Sequence, residues 1–235
     1  MNYKIFALLA FFFLTSFSNF PTKKLELNNV SLKTATEKSA SSASAVEAIY
    51  FNLKSNSLSM PSLDCFKVAL EGFTKFKEKG IFKKNILTLI DFSKSSNSKR
   101  LWIIDLDKDE VLLNTYVAHG RNTGNEFANN FSNKAESFQS SLGFYATAEI
   151  YNGKHGSSLK LDGLQKGVND NARERAVVMH GADYVSEKFI RQNKRLGRSL
   201  GCPAVPEELN AKIITLIKDK SCLFIYHPSK KDNFI

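Results

Sequence analysis

The sequence predicts a mainly β domain with peripheral helices, an α+β chain in which strands dominate the C-terminal two thirds. Two observations carry this. From residue 84 onward, short β-branched and aromatic runs alternate with polar turns, the pattern of strands rather than helices. Ahead of them lies a single apolar stripe at spacings of three and four, the period of a helix packed on one side. At 235 residues, 43% of them hydrophobic, the chain has material for one substantial core.

The elements follow in order. "MNYKIFALLAFFFLTSFSNF" has one lysine, Lys4, then an apolar run from Ile5 to Leu14 and small residues at Ser16 and Ser18. The run is shorter than the roughly 20 residues of a membrane span. It reads as a secretory signal over 1–18, with an uncleaved anchor as the rival reading. No cysteine lies near the cleavage site, which argues against a lipoprotein signal. Residues 19–44 are rich in Ser, Thr and Lys and read as a flexible linker. Ala45 to Leu53 suits a short helix. In "PSLDCFKVALEGFTKFKEKG", Ser62 is placed to cap a helix and Gly80 to stop it, with Leu63, Phe66, Leu70, Phe73 and Phe76 forming its apolar face.

Strands are expected at "NILTLIDF", "RLWIIDLD", "EVLLNTYVAHG", "GFYATAEIY", "RAVVMHG" and "CLFIYH", with a polar turn at Asp107-Lys108-Asp109. The Gly-, Asn- and Asp-rich stretch 152–171 reads as loops or hairpins. Two helices interrupt the strands. One covers about 184–195. The other covers about 206–219, with Pro206 in its first turn, Glu207 and Glu208 at its positive end, and Lys218 and Lys220 at its negative end. The domain reading is a signal over 1–18, a linker over 19–44, a helical segment over 45–97 leading into the first strand, a β-rich domain over 98–228 and a tail over 229–235.

Charge and cysteines narrow the setting. The net charge of +10 becomes +9 once Lys4 leaves with the signal. A basic exported protein suits nucleic acid or the carboxylates and phosphates of a cell envelope. No nucleic-acid module, zinc-knuckle spacing or stacking-aromatic pattern is present, so the envelope is preferred and nucleic acid is not an expected partner. Three cysteines, at 65, 202 and 222, are an odd and widely spaced set, not a disulfide framework. At least one thiol stays free. Cys65 and Cys222 read as buried small hydrophobes, a bridge between them being the alternative.

Cys202 sits in "RSLGCPAV". A nucleophilic cysteine needs a base, a group that orients the base, and donors for an oxyanion. His180, at the end of the apolar strand "RAVVMHG", is held rigidly where strand gives way to loop. A structural histidine is the competing reading of that position. Gly201 allows backbone that aims amides at one point, and Pro203 offers no N–H, so oxyanion donors are expected from Cys202, Gly201 and Leu200.

These residues carry a resemblance. "MHG" followed by "SLGC" resembles the signature of the L,D-transpeptidase catalytic (YkuD-like) family, H-G or H-S followed by S-x-G-C. "SSLGFYATAEIY" resembles that family's Gly-Phe strand, and "LWIIDLDKDEVLLNTYVAHG" its opening strand pair. The run from about 100 to 228 is most similar to the divergent murein L,D-transpeptidase branch. The resemblance implies a β-sandwich catalytic domain with Cys202 as nucleophile and His180 as base. It further implies that the Gly181 carbonyl orients the imidazole and that Ser199 and Gly201 shape the loop. It implies an exported, periplasmic or envelope-associated enzyme that acts on peptidoglycan stem peptides without cofactor or metal. A stem tetrapeptide would be captured as a Cys thioester and passed to an amine, giving a 3→3 cross-link. Carboxypeptidase or D-amino-acid exchange by the same cysteine, and a catalytically idle peptidoglycan-binding protein, are the alternatives.

The chain departs from the family pattern in three places. Leu200 replaces a position often polar, and Pro203-Ala204-Val205 replaces an aliphatic-Arg segment that would grip a substrate carboxylate. A helix carrying Lys188, Arg191, Lys194 and Arg195 lengthens the His180–Cys202 spacing. Arg191, Arg195 and Arg198 are therefore expected to supply carboxylate recognition, with a solvated charged face as the competing reading. His119, Arg121 and Tyr145 are further candidates for the substrate cleft.

Overall fold

The structure is a computed structural model and describes residues 45–153 and 156–233. The expected signal and linker, and His155, lie outside the described residues.

The helical segment α1 spans 45–52, and α2 spans Leu63–Glu78. Ser62 caps α2, its side chain accepting from the Cys65 amide, so the first turn begins where the sequence placed it. Cys65, Phe66, Ala69, Leu70 and Phe73 turn inward against the sheet. Eight strands follow: β1 (Ile86–Asp91), β2 (Leu101–Asp105), β3 (Glu110–Thr115), β4 (Gly143–Gly153), β5 (Gly156–Gly163), β6 (Val178–Ala182), β7 (Ala204–Pro206) and β8 (Cys222–Tyr226). Helices α3 (Glu187–Asn193) and α4 (Glu207–Ile217) flank them. The architecture is the β-rich one with peripheral helices.

All eight strands form one mixed sheet in the order β3-β2-β1-β8-β4-β5-β6-β7. β1 and β8, and β6 and β7, run parallel; the other pairs are antiparallel. The two ends of this order meet. The chain leaving β3 bridges the β7 region through Ala118–Ala204 and Gly120–Ser199. The sheet therefore curls until its two ends approach, which brings the residues after β3 beside β7 and the residues before it. The main core fills the interior, with Phe144 stacked on Phe224 at 4.1 Å between ring centres and Trp102 fully buried. A smaller apolar cluster of Ala118, Ala182, Val185, Leu196 and Ala204 lies at the closure.

Several boundaries differ from expectation. β1, at its expected place, lies in the middle of the sheet between β2 and β8, so the 45–97 segment supplies a central strand of the β-rich domain. The front segment is locked onto it: the Trp102 indole donates to Ser59 O at 2.7 Å, and Lys54 bridges Glu110. The 152–171 stretch holds the expected hairpin, β5 returning antiparallel against β4 across Gly153–Gly156. α3 is shorter than expected because Ser186 caps its start and Lys194 takes a left-handed conformation (φ 62°) at its end. Lys194 and Arg195 thus lie past the helix. α4 ends at Ile217, before both Lys218 and Lys220. Among the described residues, no helix is long and apolar enough to cross a membrane.

Candidate active site

The closure of the sheet builds the site. β6 carries His180 and pairs in parallel with β7, His180 opposite Ala204. In that register Cys202, two residues before Ala204, stands level with Val178, two residues before His180. Consistent with this, the Val178 amide donates to Cys202 Sγ at 3.5 Å, and Sγ lies 3.8 Å from Ala176 O. Residues 178 and 180 project to the same face of their strand. The sulfur thus lies against the strand that carries His180. Cys202 is partly exposed, whereas Cys65 and Cys222 are fully buried; all three are free thiols.

His180 Nδ1 lies 2.9 Å from Gly181 O. A carbonyl only accepts, so Nδ1 carries the proton and Nε2 keeps its lone pair in the neutral ring. Gly181 is buttressed by α4, where a Cβ on the glycine would come within 3.0 Å of Asn210 Cβ. Asn210 also ties α4 to the hairpin by donating to Ser157 O at 2.8 Å.

The turn before the sulfur is held by hydroxyls. Ser199 Oγ accepts from the Gly201 amide at 3.0 Å and donates to Cys202 O at 2.6 Å. This corrects one expectation: the Gly201 amide is engaged by Ser199 and is not aimed at an oxyanion. Ser140 joins the opposite wall. The Gly120 amide donates to Ser140 Oγ at 3.0 Å, and Ser140 Oγ donates to Gly201 O at 3.1 Å. Gly201 has φ +126°, a conformation that favours glycine, and a Cβ there would lie 2.9 Å from Gln139 O. The backbones pack too closely at this point for a side chain. Leu200 projects outward, 61% exposed beside the cysteine.

Burial raises the Cys202 thiol above its ordinary range. The Val178 amide, the charge of Arg175 and the cysteine's own amide pull it back down. Arg175 was not anticipated. No spacing marks it out, and only the folded loops bring it beside the sulfur.

The expected cleft residues divide. Tyr145 is fully buried and donates to Ser141 O at 3.0 Å, so it presents nothing to a ligand. His119 is likewise buried, 1% exposed, rather than at the rim. Arg100, also fully buried, donates to its Nδ1 at 2.8 Å, which leaves the ring proton on Nε2, 3.3 Å from Gly124 O. Arg121 stacks its guanidinium on Phe138, 4.1 Å from the ring centre. Arg198 braces the neighbouring turn, donating to Arg121 O, Gly124 O and Asn125 Oδ1. Arg195 donates to Leu196 O, and the exposed Arg191 lies 3.8 Å from Glu187. None of these contacts directs the three arginines at the sulfur. Among the described residues, no three His, Cys, Asp or Glu side chains converge as a metal-ligand set.

The His119 pair gives a measurable pH dependence. Burial first, then the Arg100 charge, lower the His119 pKa to about 3 against an ordinary 6.5. The unfolded chain therefore takes up a proton below about pH 6.5 that the native state refuses until about pH 3. Stability is full above that window and falls through it, by an amount on the order of 5 kcal/mol from this group. His119→Asn keeps an acceptor for Arg100 and cannot titrate. Urea midpoints measured at pH 7.5 and pH 4 are expected to differ by less in the Asn variant than in the parent.

Three comparisons with known proteins complete the description. The profile of a family described as L,D-transpeptidase catalytic domain matches residues 54–226. No curated protein matches the chain. Among solved structures, the chain is similar to an L,D-transpeptidase from Mycobacterium smegmatis at 10% identity and a TM-score of 0.37, covering 61% of this chain and 59% of that one. An L,D-transpeptidase from Stackebrandtia nassauensis matches at 11% identity and TM-score 0.37, covering 69% and 66%. L,D-transpeptidase 1 from Mycobacterium tuberculosis matches at 9% and 0.35, covering 61% and 62%. The chain spans less than two thirds of the length of each of these solved chains.

Proposed function

Because the chain belongs to the L,D-transpeptidase catalytic-domain family, we propose that it is an exported peptidoglycan L,D-transpeptidase with Cys202 as nucleophile, His180 as base and Gly181 as the carbonyl that orients the base. The observation that carries this reading is a partly exposed thiol held against β6 by the Val178 amide, on the same strand as an imidazole whose tautomer is set by Gly181 O.

The chemistry runs in two halves. The Sγ proton passes to His180 Nε2, and the thiolate attacks the carbonyl of the third residue of a stem tetrapeptide. The carbon–sulfur bond forms, the carbon–nitrogen bond to the terminal D-Ala breaks, and the proton on Nε2 leaves with the D-Ala amine. An amine from a second stem then attacks the thioester, giving its proton to Nε2 and its nitrogen to the carbonyl. The released thiolate recovers the proton. Of the oxyanion donors expected from sequence, the amides of Cys202 and Leu200 are the ones retained in this reading, since Ser199 holds that of Gly201.

The test is product analysis by mass spectrometry after incubation with a defined disaccharide-tetrapeptide. A 3→3 cross-linked dimer with free D-Ala is the expected result. Tripeptide alone identifies water as the acceptor. Unchanged substrate with retained binding identifies an idle peptidoglycan binder and overturns the reading.

A further inference from the structure

Arg175 lies three residues before β6, and its side chain is absorbed in one task. Nη1 donates to Ser132 O at 2.8 Å and to Ser141 Oγ; Nη2 donates to Gln139 O at 2.7 Å and to Ser137 Oγ at 3.3 Å. Four of its five N–H groups therefore hold the segment 132–141, and all four acceptors are neutral oxygens. The contrast with Arg173, two residues earlier, is informative: that guanidinium meets the carboxylates of Glu149 and Asp162. Arg175 instead keeps its positive charge beside the turn that presents Cys202. A Cβ on Gly201 would lie 3.4 Å from its Nη2 and 2.9 Å from the Gln139 oxygen that Nη2 grips. The guanidinium is wedged between the loop and the residue that precedes the sulfur.

The loop needs such an anchor. It runs from Ala128 to Leu142 without a strand or helix, a length uncommon in a compact domain unless the loop has work to do. Glu136 and Phe138 within it, and Ala176 next to Arg175, take left-handed conformations that persist only where surrounding contacts hold them. Besides Arg175, the ionisable groups coupled to Cys202 are Tyr145 on β4 and Tyr184 after β6, while His180 lies on β6, whose Val178 amide meets the sulfur. The tyrosines are neutral, their phenols raised chiefly by burial. Arg175 is the permanently charged member of this group.

We infer that Arg175 is the positioning and charge-compensating residue of Cys202: its fork pins segment 132–141 against the Gly201 turn, and its charge faces the sulfur when the Sγ proton passes to His180 Nε2. This rests on the reading of Cys202 as a thiolate nucleophile. Because four of its donors belong to the loop, Arg175 is not the bidentate grip on a substrate carboxylate that the chain lacks after Cys202. It acts on the sulfur instead.

The test reads the thiol directly. The rate of Cys202 alkylation by iodoacetamide is measured from pH 5 to pH 10 on the folded full chain, with Cys202→Ala giving the background from the buried Cys65 and Cys222. Arg175→Gln is expected to raise the midpoint of the profile by about one pH unit, slowing alkylation near neutral pH about tenfold. Arg175→Lys keeps the charge and is expected to stay within a few tenths of a unit of the parent. Ser137→Ala removes one loop hydrogen bond and is expected to leave the midpoint in place. An unmoved midpoint in Arg175→Gln, or an equal displacement in Arg175→Lys, overturns the inference. If the Gln chain does not fold, the Lys chain decides: a midpoint near the parent's supports the inference, and one raised by a unit overturns it. Alkylation does not depend on tetrapeptide turnover. A displaced midpoint in a chain without turnover removes the proposed reaction and keeps this inference, and turnover with an unmoved midpoint does the reverse.

Discussion

Cys202→Ala is expected to abolish thioester formation and stem-peptide turnover, a loss on the order of 10⁴-fold or more, while the chain stays folded. The magnitude follows from the chemistry: without a nucleophile the covalent route closes, and only binding and residual polarisation remain. No second thiol can substitute, because Cys65 and Cys222 are fully buried and their pKa values are pushed well up by burial. Stability should move by no more than about 1 kcal/mol, since the side chain is partly exposed and its sulfur makes only long contacts of 3.5 and 3.8 Å. Intact-mass spectrometry after mixing with a tetrapeptide substrate reads the acyl adduct, and a urea titration checks the fold. An adduct of the same size on the Ala chain would remove Cys202 from the nucleophile's role.

His180→Asn is expected to lower turnover by about 10²- to 10⁴-fold, the range for loss of a positioned general base. Asparagine is the informative replacement because its amide can still donate to Gly181 O, as Nδ1 does at 2.9 Å, while nothing occupies the place of the Nε2 lone pair. The loss should fall on kcat rather than KM, because the base acts on a proton in flight and is almost wholly buried. Pre-steady-state acylation separates this from a packing defect. A His180→Asn chain that acylates at the parent rate would show that deprotonation of Cys202 does not pass through this residue.

Much of the scaffold was legible because strands and helices announce themselves locally. α2 could be placed from its apolar stripe and Ser62, since capping and periodicity are decided within a few residues. β1, β2, β3, β4, β6 and β8 appear as apolar runs at their expected places because each buries most of its side chains or alternates cleanly. β5 falls in the stretch expected as loops or hairpins, and β7 is not expected from the sequence. β5 alternates over only five residues, Leu159 and Leu161 buried between Ser158, Lys160 and Asp162, amid Gly, Asn and Asp turn residues, and β7 is only three residues long.

For the proposed site, Cys202, Gly201 and His180 draw attention through their immediate neighbours, and the family resemblance adds Gly181 and Ser199. The cationic residues differ in their partners. From sequence, Arg191, Arg195 and Arg198 are equivalent charges near the cysteine; in the fold Arg198 braces the 121–125 turn and Arg191 faces Glu187. His119 and Tyr145 look like cleft residues from their strand positions, yet Arg100 and Ser141 hold them inside. Side-chain chemistry is a property of the residue, but exposure and partners belong to the packing.

By itself, then, the sequence determined the β-rich class, the start of α2 and most of the strands, which depend on periodicity, capping and nearest neighbours. Its motifs carried the resemblance from which Cys202 and His180 are proposed to do the chemistry. Only the tertiary structure decided that the sheet closes on itself, that Ser140 links Gly120 to Gly201, and that Arg175 meets the loop 132–141 beside Cys202. The physical reason is the range of the interaction. A strand's pattern says which face is buried but not which strand lies next to it, and these contacts join residues many tens of positions apart through the order of strands in the sheet.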